Sequence, residues 1–258
     1  MAEPETTKRY AVVTGANKGI GFAVCKQLAS KGVTVVLTAR DENRGLEAVD
    51  KLKQLYLPDL VIFHQLDVTD PASITSFADF IQSQFGKLDI LVNNAGIPGV
   101  NVDGEALVAA KALQENGDQI DWSKIITESY EQTEAGFKTN YYGAKELTKA
   151  LIPLLQLSTS PRIVNVSSSM GKLEKIPNGW PKEVLSDVGN LTEEKIDEVM
   201  NKFLKDFKEG SIVENKDINY NTGYLTPDEG AESIVRLALF PDGSPSGCFF
   251  VRNEEKPF

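Results

Sequence analysis

Histidine is the scarcest functional side chain here, with His64 the only one among 258 residues. It falls in a predicted strand, where a packed ring is the expectation, so triads built on His and most zinc sites drop out of consideration. Cysteine is nearly as rare. Cys25 lies in a predicted helix and Cys248 near the end, a spacing that supports neither a disulfide framework nor a metal-ligand set; both read as buried free thiols. Basic charge is in deficit, with 27 Lys and Arg against 37 Asp and Glu and a net charge of −10. Neither nucleic acid nor an anionic membrane is therefore expected as a partner, since both need a basic face. No apolar run approaches the roughly 18 residues of a spanning helix, and Met1 to Lys8 is polar without a signal-type apolar stretch. A cytoplasmic protein without a metal is the resulting expectation.

What is present is an ordinary globular composition, 41% hydrophobic and 25% charged, enough for one sizeable core. Short runs rich in Val, Ile and Leu occur at Tyr10 to Val13, Val33 to Leu37, Leu60 to Phe63, Ile90 to Val92 and Arg162 to Val166. Helical patterns separate them: Ile20 to Ser30, Asp41 to Leu57, Pro71 to Phe85, and a long one from about Thr133 to Leu157. This alternation predicts βαβ units with right-handed crossovers, hence an α/β fold with a doubly wound parallel sheet and ligands at the strands' C-terminal ends. Ile97 to about Ser129 interrupts the rhythm as a polar, loop-rich insertion. A second insertion follows Gly171, in which Ile196, Val199, Met200, Phe203, Leu204 and Phe207 repeat at helical spacing, with Asn190 or Thr192 as cap and Gly210 as stop. The last elements are a helix opened by Thr226, Pro227 and Glu229, arranged as a capping box, and a strand Cys248 to Val251.

The most specific local signal is Thr14-Gly15-Ala16-Asn17-Lys18-Gly19-Ile20-Gly21, directly after the first strand. Gly15 allows a tight turn, Gly19 leaves no side chain between the main chain and a pyrophosphate, and Gly21 lets the next helix pack closely. The helix start offers N–H groups and a positive dipole end to phosphates. The second strand ends Leu37-Thr38-Ala39-Arg40, with a cation at the tip where a carboxylate would hold a ribose 2′-hydroxyl. Arg40, with Lys18 in the turn, favours a 2′-phosphate and therefore NADP(H) over NAD(H).

Taken with Leu66-Asp67-Val68, Leu91-Val92-Asn93-Asn94-Ala95-Gly96 and Val164-Asn165-Val166-Ser167-Ser168, this motif resembles the short-chain dehydrogenases/reductases. The likeness covers essentially the whole chain. It is closest to the plant carbonyl reductases of the salutaridine, menthone and neomenthol type, through Asn140-Tyr141-Tyr142-Gly143, the helical insertion, Asp217-Ile218-Asn219-Tyr220-Asn221-Thr222-Gly223 and Pro245-Ser246-Gly247. The resemblance implies one Rossmann-type domain over 1–258 with a helical insertion at about 172–216, a monomer, and NADP(H)-dependent interconversion of a small carbonyl compound and its alcohol. It also implies a cofactor site of Gly15, Asn17, Lys18, Gly19, Ile20, Gly21, Arg40, Asp67, Val68, Asn94, Ala95 and Gly96. Ser168 matches the family's carbonyl-polarising Ser, and Asn140 the Asn of its proton relay.

One part of the family pattern is missing. Its Tyr-x-x-x-Lys, which supplies the proton donor, follows the helical insertion; the tyrosines after Ser168 are Tyr220 and Tyr224, followed four positions later by Tyr224 and Asp228. Tyr141 and Lys145 have the spacing but precede the fifth strand on the helix of Asn140, and read as a packing residue and a surface charge. The discontinuity lies near Lys216-Asp217, where relatives carry a catalytic helix and a sixth strand. The expectation is thus an impaired carbonyl reductase, a non-catalytic NADP(H)-binding or interaction protein, or a non-functional splice product.

Overall fold

A computed structural model of the chain describes residues 8–55, 60–115, 125–210 and 226–257. Two compact units emerge, one of residues 1–95, 143–177 and 217–258, the other of 96–142 and 178–216.

In the first unit five parallel strands form one sheet: β1 (Tyr10–Val13), β2 (Thr34–Ala39), β3 (Val61–Gln65), β4 (Ile90–Asn93) and β7 (Arg162–Asn165), in the order β3-β2-β1-β4-β7. The order runs outward from β1 in both directions, as a doubly wound sheet requires. Alternate residues divide between two cores. Ala11, Val13, Val35 and Leu37 face helices α1 (Gly19–Ser30), α2 (Glu42–Lys53) and α9 (Pro227–Ala238). Val12, Val36 and Leu91 face α3 (Pro71–Phe85) and α6 (Ala144–Leu155). Strands buried on both faces need apolar residues at successive positions, which is why these segments read as continuous runs. Phe77, Leu28, Leu37 and Leu151 are fully enclosed, each contributing about 1.5 to 3 kcal/mol of hydrophobic transfer.

Helix boundaries follow local chemistry. Asp41 and Asp70 accept the N–H groups of Arg44 and Ala72, starting α2 and α3, and Gly86 stops α3 with a φ of 69°. Thr226 and Glu229 close the expected capping box on α9. His64 is a packed strand residue as expected, its ring 5.2 Å from that of Phe77 and 4.3 Å from that of Phe80. Cys25 is buried, but Cys248 is only half-buried because the strand that follows it joins no core sheet. That strand, β8 (Phe249–Val251), pairs antiparallel with β9 (Glu254–Lys256).

The second unit corrects one expectation. The stretch read as loop-rich carries a two-stranded ladder, β5 (Asn101–Val102) with β6 (Ile126–Thr127), and a helix, α4 (Gly104–Glu115). The two-residue strands are too short to form an apolar run, and α4 is flanked by polar segments, so neither stands out as a pattern along the chain. Here too lie α5 (Tyr130–Phe137), α7 (Trp180–Ser186) and α8 (Glu193–Lys208). The amphipathic helix expected in the second insertion is α8: Thr192 caps it and Gly210 follows with a φ of 67°. It lies on α5 and α7, with the Phe203 ring 5.5 Å from that of Phe137.

The long helix expected from Thr133 to Leu157 is in fact three segments, α5, a π-helical turn at Lys138–Gly143, and α6. Periodicity could not reveal the wider turn, since one inserted position leaves the apolar pattern on either side intact. Among the described residues no helix is long and apolar enough to cross a membrane. Lys216, Asp217, Tyr220 and Tyr224 lie outside the described residues.

Candidate functional site

The glycine turn leaves β1 and enters α1 as its residues dictate. Gly15 and Gly19 adopt φ values of 60° and 59°, a left-handed conformation that side chains disfavour. A Cβ on Gly15 would stand 2.8 Å from the Ala95 Cα, so the turn lies directly against the end of β4. A Cβ on Gly19 would meet nothing within 4 Å. Lys18 stands at the N-cap of α1 with no side-chain cap, and the first turn contains no acidic residue. The helix therefore begins with its dipole end uncompensated in front of an open backbone, the arrangement that suits a phosphate. Gly21 is expected to let α1 pack on the strand; the space a Cβ would take is filled by the Asn94 amide nitrogen, with the Ala16 Cα at 2.9 Å and the Gly15 carbonyl at 3.0 Å.

Asn94 and Thr14 hold this arrangement together. Asn94 Nδ2 donates to the carbonyls of Thr14 and Gly15 at 2.7 and 3.2 Å. The Thr14 hydroxyl accepts the N–H groups of Asn94 and Ala95 at 2.9 and 2.8 Å. Thr14 opens the motif as a polar residue ending an apolar strand, a signal that sequence alone leaves without a role. It is 1% exposed, so these bonds are made out of reach of water.

The strand tips beside the turn carry the other cofactor candidates. Ala16 N–H donates to the Thr38 carbonyl at 2.8 Å, which ties the turn to the end of β2 just before Arg40. Lys18 and Arg40 are exposed, and neither has an ion-pair partner among the described residues. Asp67 follows β3, where its Oδ1 accepts from the Thr69 N–H and hydroxyl at 2.9 and 2.7 Å. Val68 is buried, and a Cβ on Gly143 would come within 2.9 Å of its carbonyl. Ser168 lies exposed past β7, its carbonyl accepting the Gly171 N–H at 2.9 Å as the chain turns.

In the second unit Asn140 sits in the π-helical turn. Its Oδ1 accepts the Ile97 N–H and its Nδ2 donates to the Ile97 carbonyl, both at 2.9 Å. Both ends of the amide are thus committed to one backbone residue, one position after Gly96. Tyr141 turns its hydroxyl toward Asp197 on α8; burial first, then that carboxylate, pushes its pKa well above the usual phenol value. Such a hydroxyl keeps its proton and is a poor acid. Lys145, expected as a surface charge, is half-buried.

The family model for short chain dehydrogenase matches residues 9–179. The (+)-neomenthol dehydrogenase of Arabidopsis thaliana is 52% identical, over 98% of this chain and 99% of that protein. That alignment runs over 298 positions, whereas this chain has 258 residues, so at least 40 positions face a gap here. The structure of salutaridine reductase from Papaver somniferum superimposes with a TM-score of 0.85 at 45% identity, covering 93% of this chain and 98% of that one. Menthone neomenthol reductase from Mentha piperita gives 0.85 at 44%, covering 96% and 100%. With its parallel sheet, glycine turn and these likenesses, the chain belongs to the short chain dehydrogenase family, a family of oxidoreductases.

Proposed function

We propose that this chain binds NADP(H) through its glycine turn and the tips of β2, β3 and β4, and that it reduces small ketones or aldehydes, or oxidises the alcohols, with strongly diminished turnover. The observation that carries the cofactor reading is the start of α1, with no side-chain cap and open above Gly19, with Lys18 at its N-cap and Arg40 just past β2, both exposed and without an ion-pair partner among the described residues. Gly15, Asn17, Gly19, Ile20 and Gly21 would receive the pyrophosphate on main-chain N–H groups. Arg40 and Lys18 would grip the 2′-phosphate, which an unpaired guanidinium can do with two parallel charged hydrogen bonds. Asp67 and Val68 would bound the adenine, and Asn94, Ala95 and Gly96 the ribose beyond it.

When bound, the cofactor supplies the hydride; the protein must supply the proton and polarise the carbonyl. Ser168 would donate a hydrogen bond to the substrate oxygen. Asn140 would act through Ile97, holding the loop after β4 in place. The proton donor is the weak point, because the sequence after Ser168 contains no Tyr-x-x-x-Lys. The gap of at least 40 positions against the Arabidopsis relative is consistent with the loss of a segment, which the family resemblance puts near Lys216-Asp217, and β7 is the outermost strand on its side among the described residues. Tyr141 does not replace the missing acid while Asp197 and burial hold its proton. A general acid is worth roughly 10² to 10⁴ in rate, so its loss leaves positioning and electrostatics to carry a residual activity.

A second reading, an NADP(H)-binding protein without catalysis, is favoured by the same missing motif. Two measurements on one preparation separate these readings: calorimetric titration with NADPH, and NADPH consumption with a panel of cyclic ketones and terpenoid or alkaloid carbonyls. Binding with slow turnover, lowered further by S168A, supports the first, and binding with none the second. Robust turnover abolished by S168A refutes impairment, and absence of binding refutes the cofactor reading.

A further inference from the structure

The β2–β3 ladder ends in backbone at the Leu66 N–H, which donates to the Ala39 carbonyl at 3.0 Å, yet side chains continue it. Gln65 Nε2 donates to the Arg40 carbonyl at 3.2 Å. Gln65 Oε1 accepts the Ser73 hydroxyl at 3.3 Å, and Ser73 Oγ accepts the Asp67 N–H at 3.0 Å. The main chains of Arg40 and Asp67 are therefore joined by an unbroken run through one amide and one hydroxyl. Its supports are firm: the Gln65 carbonyl lies 2.6 Å from His64 Nδ1, and the His64 ring packs on Phe77 and Phe80. Ser73 stands in the first turn of α3, whose start is fixed by the Asp70 cap.

We infer that Gln65 and Ser73 are positioning residues that set selectivity for the 2′-phosphate, by holding the main chain of Arg40 in fixed register with that of Asp67. The inference rests on the cofactor reading given above for Arg40 and Asp67. Neither Gln65 nor Ser73 needs to touch the cofactor. Arg40 is exposed, and a long side chain on a loose strand tip surrenders much of its binding strength to the ordering it undergoes on contact. A carbonyl pinned by Gln65 removes part of that cost for a ligand carrying the 2′-phosphate. A ligand lacking it does not engage the Arg40 head and gains less. Local packing alone would instead make Gln65 matter to stability and equally to every adenine dinucleotide.

The test is calorimetric titration of the full chain, Q65M and S73A with NADPH, NADH and 2′,5′-ADP, accompanied by thermal melts. Each variant removes two of these exposed or part-buried hydrogen bonds, which corresponds to a severalfold effect at most. Q65M is expected to lower the NADPH-to-NADH affinity ratio about fivefold and the 2′,5′-ADP affinity to a similar degree, and S73A to lower both about twofold. S73A removes only a hydroxyl, so it serves as the readout if Q65M does not fold. An unchanged ratio in the folded variants overturns the inference, whatever happens to the melting temperature. A wild-type chain that binds neither dinucleotide overturns the cofactor reading itself, and the inference with it.

Discussion

The Thr14 hydroxyl, at the end of β1, accepts the main-chain N–H of Asn94, at the end of β4, at 2.9 Å, and Asn94 returns a bond from its side chain to the Thr14 carbonyl at 2.7 Å. This reciprocal pair fixes the glycine turn against the neighbouring strand. The Ala95 N–H shares the same hydroxyl. T14V keeps the shape of the side chain but leaves two N–H groups without their acceptor, a loss of about 2 to 3 kcal/mol. A fall in melting temperature of roughly 5 to 10 °C follows for a chain of this size. T14S should restore most of it, and weaker NADPH binding in T14V than in T14S would place the pair in the cofactor site.

Arg40 is exposed and without an ion pair among the described residues, so its removal costs the fold little. R40A is expected to weaken NADPH binding about tenfold while changing NADH binding less than about threefold, the discount from a buried charged bond reflecting solvent screening. Calorimetry with both dinucleotides reads the difference. Equal weakening of the two would assign Arg40 a general structural role.

Asn140 holds both backbone groups of Ile97. In N140A those groups turn to water, and exchange of the Ile97 amide hydrogen should quicken about fivefold, as expected for one lost bond of about 1 kcal/mol. N140D retains the acceptor for the Ile97 N–H and should fall between the two. Unchanged exchange in N140A would mean that the loop is held elsewhere.

The Glu229 carboxylate accepts the Thr226 N–H and hydroxyl at 2.7 and 2.8 Å, and the backbone bond chiefly holds its pKa below the ordinary value. A lowered pKa means that the fold prefers the ionised form. Its contribution is complete above the unfolded value and is lost as pH falls through the lowered one. The gap in melting temperature between the wild type and E229Q should be constant above about pH 5.5 and close on acidification. A gap independent of pH would remove Glu229 from the capping box in solution.

Much of the core was visible in the order of residues. Tyr10–Val13 and Pro71–Phe85 fall where their apolar run and helical pattern placed them, and α8 follows from the spacing of Ile196 to Phe207, with Thr192 rather than Asn190 as its cap. These elements are local: their boundaries are chosen by caps and by period, both readable within a few positions. Gly15, Gly19 and Arg40 could be read as a candidate cofactor set for a related reason, since the glycine turn and Arg40 follow the ends of apolar runs and a parallel sheet gathers such ends on one side, whereas Asp67 came only through the family resemblance.

The alternation of apolar runs and helical periods determined the α/β architecture, and the glycine turn with Arg40 marked the candidate place for a dinucleotide. Tertiary structure alone decided how that turn is held. Thr14 meets Asn94 across 80 positions to fix the turn, and Arg40 meets Gln65 across 25 at the strand tips beside it. Such bonds leave no trace in propensity or period, because their partners become neighbours only when burial of the strands brings the ends of β1, β2, β3 and β4 together. The π-helical turn at Lys138–Gly143 belongs with them. Local sequence favours an uninterrupted helix there, and the wider turn is found where Gly143 comes against Val68 and Asn140 takes hold of Ile97.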